Sequence, residues 1–140
     1  MQVDVAVVGG GPAGSAAATL LARAGRSVLL IDKATFPRDK CCGDGLTTLA
    51  LRLCEQLGLD PDQTSSWHPV AGAVMHSTSG WAATFQLPTG SGQFAAVVPR
   101  AELDLALLDL ASAAGAAVSQ NSALAGIRID GDSAVLEGDG

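Results

Sequence analysis

The sequence has few basic residues, few cysteines and no uninterrupted hydrophobic run of membrane-spanning length. Lysine and arginine total 8 against 14 acidic residues, which gives a net charge of −6. This balance argues against nucleic acid and against an anionic membrane surface as electrostatic partners. The 3 cysteines, an odd number, predict no disulfide framework and suggest a reducing cytosol. We therefore expect a cytoplasmic protein, and peripheral contact with a membrane is left open.

Neither of the two longest uncharged runs has the pattern of a membrane span. A Gly-Gly-Gly-Pro segment breaks the run from Val5 to Ala22, and Asp4 stands where a signal peptide would be basic. The run from Thr64 to Pro99 is rich in Gly, Ser, Thr and Pro, which predicts strands and turns. The cysteines and histidines do not have the spacing of a zinc site. The sequence thus predicts no transmembrane segment and no metal.

Residues 4–32 have the pattern of a dinucleotide-binding βαβ unit. The β-branched run from Val3 to Val8 predicts a buried parallel strand, and residues 15–24 are helix formers. Residues 28–31 predict a second buried strand, which ends at Asp32. A carboxylate at that position can accept hydrogen bonds from a ribose. The pattern fits NAD or the ADP half of FAD; the alternative is a glycine-rich turn in another kind of α/β protein.

Three glycines between the first strand and the helix have the G-x-G-x-x-G spacing. Gly9 allows a tight turn, Gly11 lets the backbone approach a pyrophosphate, and Gly14 lets the helix pack closely against the sheet. The free N–H groups at the start of the helix then favour phosphate.

Apolar periodicity predicts two further helices. Leu46 to Leu57 is the first, with Asp44 as its N-cap. Ala101 to Ala114 is the second, with Glu102 and Asp104 near its positive end.

Short strands alternate with turn residues through the rest of the chain. Two hairpins are predicted, one from residues 71–77 and 81–87 and the other from residues 124–129 and 133–137. Two single strands are predicted at residues 94–98 and 116–118. We expect an α/β, Rossmann-like dinucleotide-binding domain (1–60), an inserted antiparallel β segment that begins a substrate or cover domain (61–99), and a return to the first domain (100–140). Such a sheet needs more parallel strands, so we expect an N-terminal part, incomplete at the C-terminus, of a longer protein.

The motifs in two segments resemble a known family. G-G-G-P-A-G followed by Asp32 and Lys33 resembles flavoproteins of the glutathione-reductase and p-hydroxybenzoate-hydroxylase type. The loop F-P-R-D-K-C-C-G-D-G-L (36–46) and P-R-A-E-L-D (99–104) resemble the geranylgeranyl reductase family, and the likeness covers nearly the whole chain. Its members are FAD enzymes that reduce carbon–carbon double bonds of isoprenoid chains. The resemblance implies FAD, an isoprenoid or other apolar substrate, hydride transfer from flavin N5, and NAD(P)H or ferredoxin as the electron donor.

The resemblance also implies which residues hold the cofactor. Ala13 and Gly14 would meet the pyrophosphate, Asp32 the ribose, and the backbone near Leu124 the adenine. Cys42, Gly43 and Gly45 would line the flavin side of the loop. The full set of predicted cofactor-binding residues is Gly9, Gly11, Ala13, Gly14, Asp32, Lys33, Cys42, Gly43, Gly45, Arg100 and Leu124. No catalytic residue is assigned.

Three basic residues near these motifs leave alternatives open. Arg100 could pair with a phosphate, or form a salt bridge with Asp104 one turn further on. Arg38 and Lys40 could contact phosphate, but we expect them to be solvated.

The cysteines and tryptophans are interpreted mainly as packing residues. We expect Cys42 to be a small buried residue against the flavin; a proton donor or a redox thiol is the alternative. Cys54 falls on an apolar helix stripe, and Trp67 and Trp81 are expected to pack. Two other functions stay open, namely an FAD-dependent aromatic monooxygenase or halogenase and an inactive nucleotide-binding module.

Overall fold

A computed structural model describes residues 1–42, 44–88 and 92–138. In chain order its elements are β1 (Val5–Val8), α1 (Pro12–Arg23), β2 (Val28–Ile31), β3 (Gly45–Leu46), α2 (Thr48–Leu57), β4 (His68–Pro69), β5 (Gly72–His76), β6 (Ala82–Gln86), β7 (Ala96–Val97), α3 (Arg100–Ala113), β8 (Ala117–Ser119), β9 (Leu124–Asp130) and β10 (Ser133–Gly138). One 3-10 turn, Pro61–Gln63, follows α2.

The predicted βαβ unit forms the centre of the fold. β2 lies between β1 and β8, and both pairings are parallel, with Val5 opposite Val28 and Leu29 opposite Ala117. α1 contacts β1, β2 and α3, so the helices cover the sheet. The core between them is made by buried apolar residues of α1, β2, α3 and the loops that follow β2 and α3: Ala18, Val28, Leu30, Phe36, Leu108, Ala111 and Ala116. The α/β, Rossmann-like interpretation is therefore confirmed.

Antiparallel pairing occurs in three separate places. β5 pairs with β6 and β9 with β10, which confirms both predicted hairpins. The predicted strand over 94–98 is shorter, Ala96–Val97, and it lies between β3 and β4 in a small sheet. The sequence did not predict β3 and β4, because a two-residue strand has no periodicity to detect. The division of the chain into domains remains a prediction.

The start of α2 differs from the predicted one. Thr47, and not Asp44, is the N-cap, since its hydroxyl oxygen accepts a hydrogen bond from the amide of Ala50 at 3.4 Å. Asp44 instead has φ +53°, and its carbonyl oxygen accepts a hydrogen bond from the amide of Val98. Asp44 therefore belongs to the contact between its loop and the strand before α3.

A second apolar core lies between α2 and α3. Its buried members are Leu57, Leu59, Val98, Leu103, Ala106 and Leu107. Trp67 and Cys54 pack against this core, as expected, whereas Trp81 is 80% exposed and the packing interpretation is wrong for it. Trp81 borders the β5–β6 hairpin, whose residues are almost all exposed and therefore offer it no apolar surface. In the described part of the chain, every helix is too short or too polar to cross a membrane.

Candidate cofactor-binding cleft

The glycine-rich turn leaves the start of α1 open toward solvent. Gly9 has φ +104°, a conformation that favours glycine, and its amide donates to the carbonyl oxygen of Ile31 at 2.8 Å. Gly11 is the N-cap of α1, Pro12 begins the helix, and no side chain of the described residues caps it. The first N–H groups of α1 are therefore available to an anion, and the helix dipole favours negative charge there.

Gly14 allows α1 to lie directly against this turn. A Cβ atom added to Gly14 would overlap the carbonyl oxygen of Gly9. The buried hydroxyl of Ser15 donates to the carbonyl oxygen of Gly10 at 3.0 Å and fixes the same contact from within the helix. The turn and the helix start thus form one rigid cradle, which fits the pyrophosphate of a dinucleotide.

Asp32 connects the glycine-rich turn to the loop after β2 on the opposite side of the cleft. One carboxylate oxygen accepts a hydrogen bond from the amide of Gly10 at 2.7 Å, and the other from the amide of Ala34 at 2.8 Å. A carboxylate has about four acceptor sites, so two remain for the hydroxyl groups of a ribose. The predicted position of the acid is suitable for this contact.

An open cleft of about 890 Å³ runs along the turn, the end of β2 and the start of β9. Eight of the predicted residues line it: Gly9, Gly11, Ala13, Gly14, Asp32, Lys33, Arg100 and Leu124. Ser122 and Ala123, which were not predicted as site residues, also border the cleft next to Leu124. They lie in a short loop without a motif.

Two of the three remaining predicted residues border a second, more apolar hollow of about 360 Å³. Cys42 and Gly45 line it together with leucines of α2 and α3, and Gly43 lies outside the described residues. Ala13 and Arg100 border both the cleft and this hollow. The cleft at the helix start and the more apolar hollow beside α2 therefore adjoin at these residues.

Arg100 and Arg38 share one buried carboxylate at the boundary of the two regions. Arg100 binds Asp104 in a bidentate way, with Nε–Oδ1 at 2.8 Å and Nη2–Oδ2 at 2.9 Å. Arg38 reaches the same Oδ2 through Nη2 at 3.2 Å, and the side chain of Asp104 is 0% exposed. The salt-bridge alternative for Arg100 is thus confirmed.

The expectation that Arg38 is solvated is wrong, since its side chain is only 17% exposed. Its guanidinium carbon lies 4.8 Å from the centre of the Phe36 ring, in cation–π contact, while Nη2 pairs with Asp104. The two partners lie far apart in the sequence, so spacing alone could not have shown the pairing. Lys40 is exposed, although it also borders the cleft.

Hydrogen bonding stabilises the charged form of Arg100 further. The hydrogen bonds to Asp104, and a further one involving Cys42, raise the pKa of Arg100, while partial burial opposes them. The backbone amide of Arg100 also donates to the carboxylate of Asp44 at 3.2 Å. The loop that precedes α2 and the start of α3 are thereby tied together at this residue.

The cysteines only partly match their predicted environments. Cys42 is exposed, and it borders the hollow; its expected packing against a flavin stays a prediction. Cys54 is half-buried, and that burial raises the pKa of its thiol. Within the described ranges, no three Cys, His, Asp or Glu side chains cluster as a metal site would require.

Comparison with known proteins identifies this arrangement. A sequence model of the family described as "FAD binding domain" matches residues 2–137. A menaquinone reductase of Mycolicibacterium smegmatis is 44% identical over 121 residues, which are 82% of this chain and 28% of that protein. A digeranylgeranylglycerophospholipid reductase of Methanocaldococcus jannaschii is 32% identical over 92% of this chain and 31% of that protein. The chain thus spans about a third of the length of these curated relatives.

Solved structures have the same fold. A geranylgeranyl bacteriochlorophyll reductase-like protein of Thermoplasma acidophilum superposes with a TM-score of 0.80 at 30% identity, covering 94% of this chain and 33% of that one. A myxobacterial chondrochloren halogenase, a variant of the FAD-dependent halogenases, superposes with a TM-score of 0.82 at 29% identity. That match covers 95% of this chain and 32% of the halogenase.

Proposed function

The chain belongs to the FAD-binding domain family, and we propose that it binds FAD for the reduction of carbon–carbon double bonds in an isoprenoid chain. The observation that carries this proposal is that the cleft and the hollow share Ala13 and Arg100 as lining residues. The cleft suited to ADP adjoins there a more apolar hollow that suits the flat aromatic ring of a flavin. Similarity to reductases of menaquinone and of an isoprenoid glycerophospholipid supports the choice of substrate class.

Within this proposal, the chain's residues bind and orient the cofactor. Gly11, Ala13 and Gly14 present backbone N–H groups to the pyrophosphate, and Asp32 accepts the hydroxyl groups of the adenosine ribose. Lys33 and Leu124 border the adenosine end of the cleft. Gly9 shapes the turn that these contacts need. Bound FAD supplies the redox chemistry, and the protein supplies position and exclusion of water.

The flavin side of the cofactor is assigned to the apolar hollow. Cys42 and Gly45 border it, and Gly43 lies between them in the sequence. Arg100 stands where the two regions meet, close to the expected position of the second phosphate. We further propose an apolar substrate, an electron donor such as NAD(P)H or ferredoxin, and a cytoplasmic location with peripheral membrane contact.

A halogenase or an aromatic monooxygenase is the second candidate. The superposition on the chondrochloren halogenase favours it, since the fold agrees with that enzyme as well as with the reductase-like protein. In that case the same residues would hold FAD, and the chemistry that the cofactor would supply is oxygen activation instead of double-bond reduction. A third candidate is a nucleotide-binding module without activity of its own.

Anaerobic photoreduction of the FAD-loaded protein separates these candidates. After reduction, a polyprenyl substrate such as menaquinone or a geranylgeranyl lipid is mixed in, and flavin absorbance is followed without oxygen. Reoxidation together with a saturated double bond in the recovered lipid supports the reductase. No reoxidation with the lipid, but rapid reoxidation and product formation with oxygen, halide and an aromatic substrate, supports the halogenase. FAD binding without either reaction supports the inactive module.

A further inference from the structure

We propose that Asp104 is a positioning residue that holds Arg38 and Arg100 as a pair facing the pyrophosphate of FAD. This inference rests on the proposed position of FAD in the cleft. It gives Arg38 the phosphate contact that was the less favoured alternative from the sequence, and it gives the buried carboxylate of Asp104 a role.

The geometry aims both arginines at the glycine-rich turn. A Cβ atom added to Gly11 would lie 3.5 Å from Nη2 of Arg38 and 4.0 Å from Nη2 of Arg100. Gly11 is the N-cap of α1, so the two guanidinium groups border the same point as the free N–H groups of the helix. Both arginines also line the cleft. Donors from three parts of the chain therefore converge on one place.

The charges of the cluster are suited to an anion. Two guanidinium groups share one carboxylate, so the side chains of Arg38, Arg100 and Asp104 together carry a net positive charge beside the positive end of the helix dipole. A pyrophosphate carries negative charge that this excess complements, and guanidinium groups bind phosphate through paired hydrogen bonds. A single arginine on Asp104 would leave a neutral pair. The second arginine is what makes this cluster an anion site.

The burial of Asp104 is better explained by its positioning of the two arginines than by a contribution to the stability of the fold. Its carboxylate is 0% exposed, and removing such a group from water is costly unless its partners compensate. Buried ion pairs of this kind are weak evidence for stability, but they fix the side chains that take part. Arg38 is held from a second side by the Phe36 ring, which is itself buried. The arginines are thus ordered before a ligand arrives, which reduces the entropic cost of binding.

The test compares ligands that differ in phosphate. Dissociation constants of FAD, ADP and adenosine are measured for wild type, Asp104→Asn and Arg38→Ala, the last two ligands by competition with FAD. Asp109→Asn, an exposed change on the same helix, and Arg26→Ala, an exposed arginine, are the matched controls. Circular dichroism and the thermal midpoint verify folding, and Arg38→Ala decides the test if Asp104→Asn fails to fold.

We expect each cluster variant to raise the Kd of ADP about tenfold, the effect of losing roughly one charge-assisted hydrogen bond, and to leave adenosine within about twofold. Both controls should bind all three ligands as wild type does. Equal loss of ADP and adenosine affinity would reduce Asp104 to a structural role, and unchanged ADP affinity would overturn the inference outright. If wild type itself bound no FAD, the proposed function would fail instead, so the two failures are distinguishable.

Discussion

The carboxylate of Asp32 accepts the amide hydrogen of Gly10 at 2.7 Å, which joins the end of β2 to the turn that follows β1. Its other oxygen accepts from Ala34 at 2.8 Å. One side chain therefore fixes two loops of the cleft and still has acceptor capacity for a ribose. This double role makes Asp32 the most informative single position of the adenosine end.

Replacement of Asp32 by Ala should weaken FAD binding by about 1–3 kcal/mol, because hydrogen bonds to a charged acceptor are lost. Isothermal titration with FAD measures the change. Asp62→Ala, an exposed carboxylate in the 3-10 turn, is the control and should leave the affinity unchanged. If Asp32→Ala bound FAD as wild type does, the ribose would lie elsewhere.

Replacement of Gly14 by Ala should destabilise the protein by about 1–3 kcal/mol, since the new Cβ would overlap the carbonyl oxygen of Gly9 and push α1 away from the turn. Chemical denaturation measures the loss. Gly126→Ala is the matched control, because its Cβ would meet only the end of the Glu137 side chain at 3.4 Å. Equal stability of the two variants would contradict the close packing of helix and turn.

Glu102 should make the free energy of unfolding depend on pH. Its carboxylate accepts hydrogen bonds from the hydroxyl and the amide of Ser66 and from the hydroxyl of Ser65. These hydrogen bonds, most of all the one from the Ser66 hydroxyl, lower the pKa of Glu102 below its usual value. A depressed folded-state pKa stabilises the protein above the unfolded value, and this contribution is lost as pH falls through the folded value.

The stability difference between wild type and Glu102→Gln should therefore be larger at about pH 6 than at about pH 3, measured by urea denaturation at each pH. Glu137→Gln, a change on the β9–β10 hairpin, serves as the comparison. A wild-type advantage that grew on acidification would contradict the direction of this shift.

Thiol labelling should divide the cysteines into a fast and a slow class. Cys41 and Cys42 are exposed, whereas burial of Cys54 limits access and raises its pKa, which leaves less thiolate at neutral pH. Two fast equivalents and one slow one are expected with a chromogenic disulfide reagent, and Cys54→Ala should remove the slow phase. Three equal rates would show that Cys54 is not protected.

The sequence predicted the parts of the fold that local patterns encode. The βαβ unit, α3 and both hairpins follow from periodicity, glycine spacing and turn residues, and the structure has them. The N-cap of α2 was misassigned because Asp44 and Thr47 are both good capping residues, and the long-range bonds of Asp44 to Val98 and Arg100 decided between them. Spacing cannot report such bonds.

The site residues could likewise be predicted where they belong to a local sequence motif. The residues of the glycine-rich turn and Asp32 belong to one contiguous motif, so their positions in the cleft could be inferred. The pairing of Arg38 with Asp104 depends on how the loop after β2 folds over α3. The burial of Arg38 and its salt bridge to the carboxylate that also binds Arg100 can be seen only in the tertiary structure.

The central claim is that the cleft at the start of α1 holds the ADP half of FAD. Competition between FAD and ADP for the purified protein tests it most directly, with bound flavin followed by its fluorescence. We predict one FAD site per chain, and we expect ADP to displace FAD from it. Riboflavin, which lacks the ADP half, should not compete for this site at comparable concentration. Absence of FAD binding, or FAD binding that saturating ADP leaves unaffected, would contradict the account.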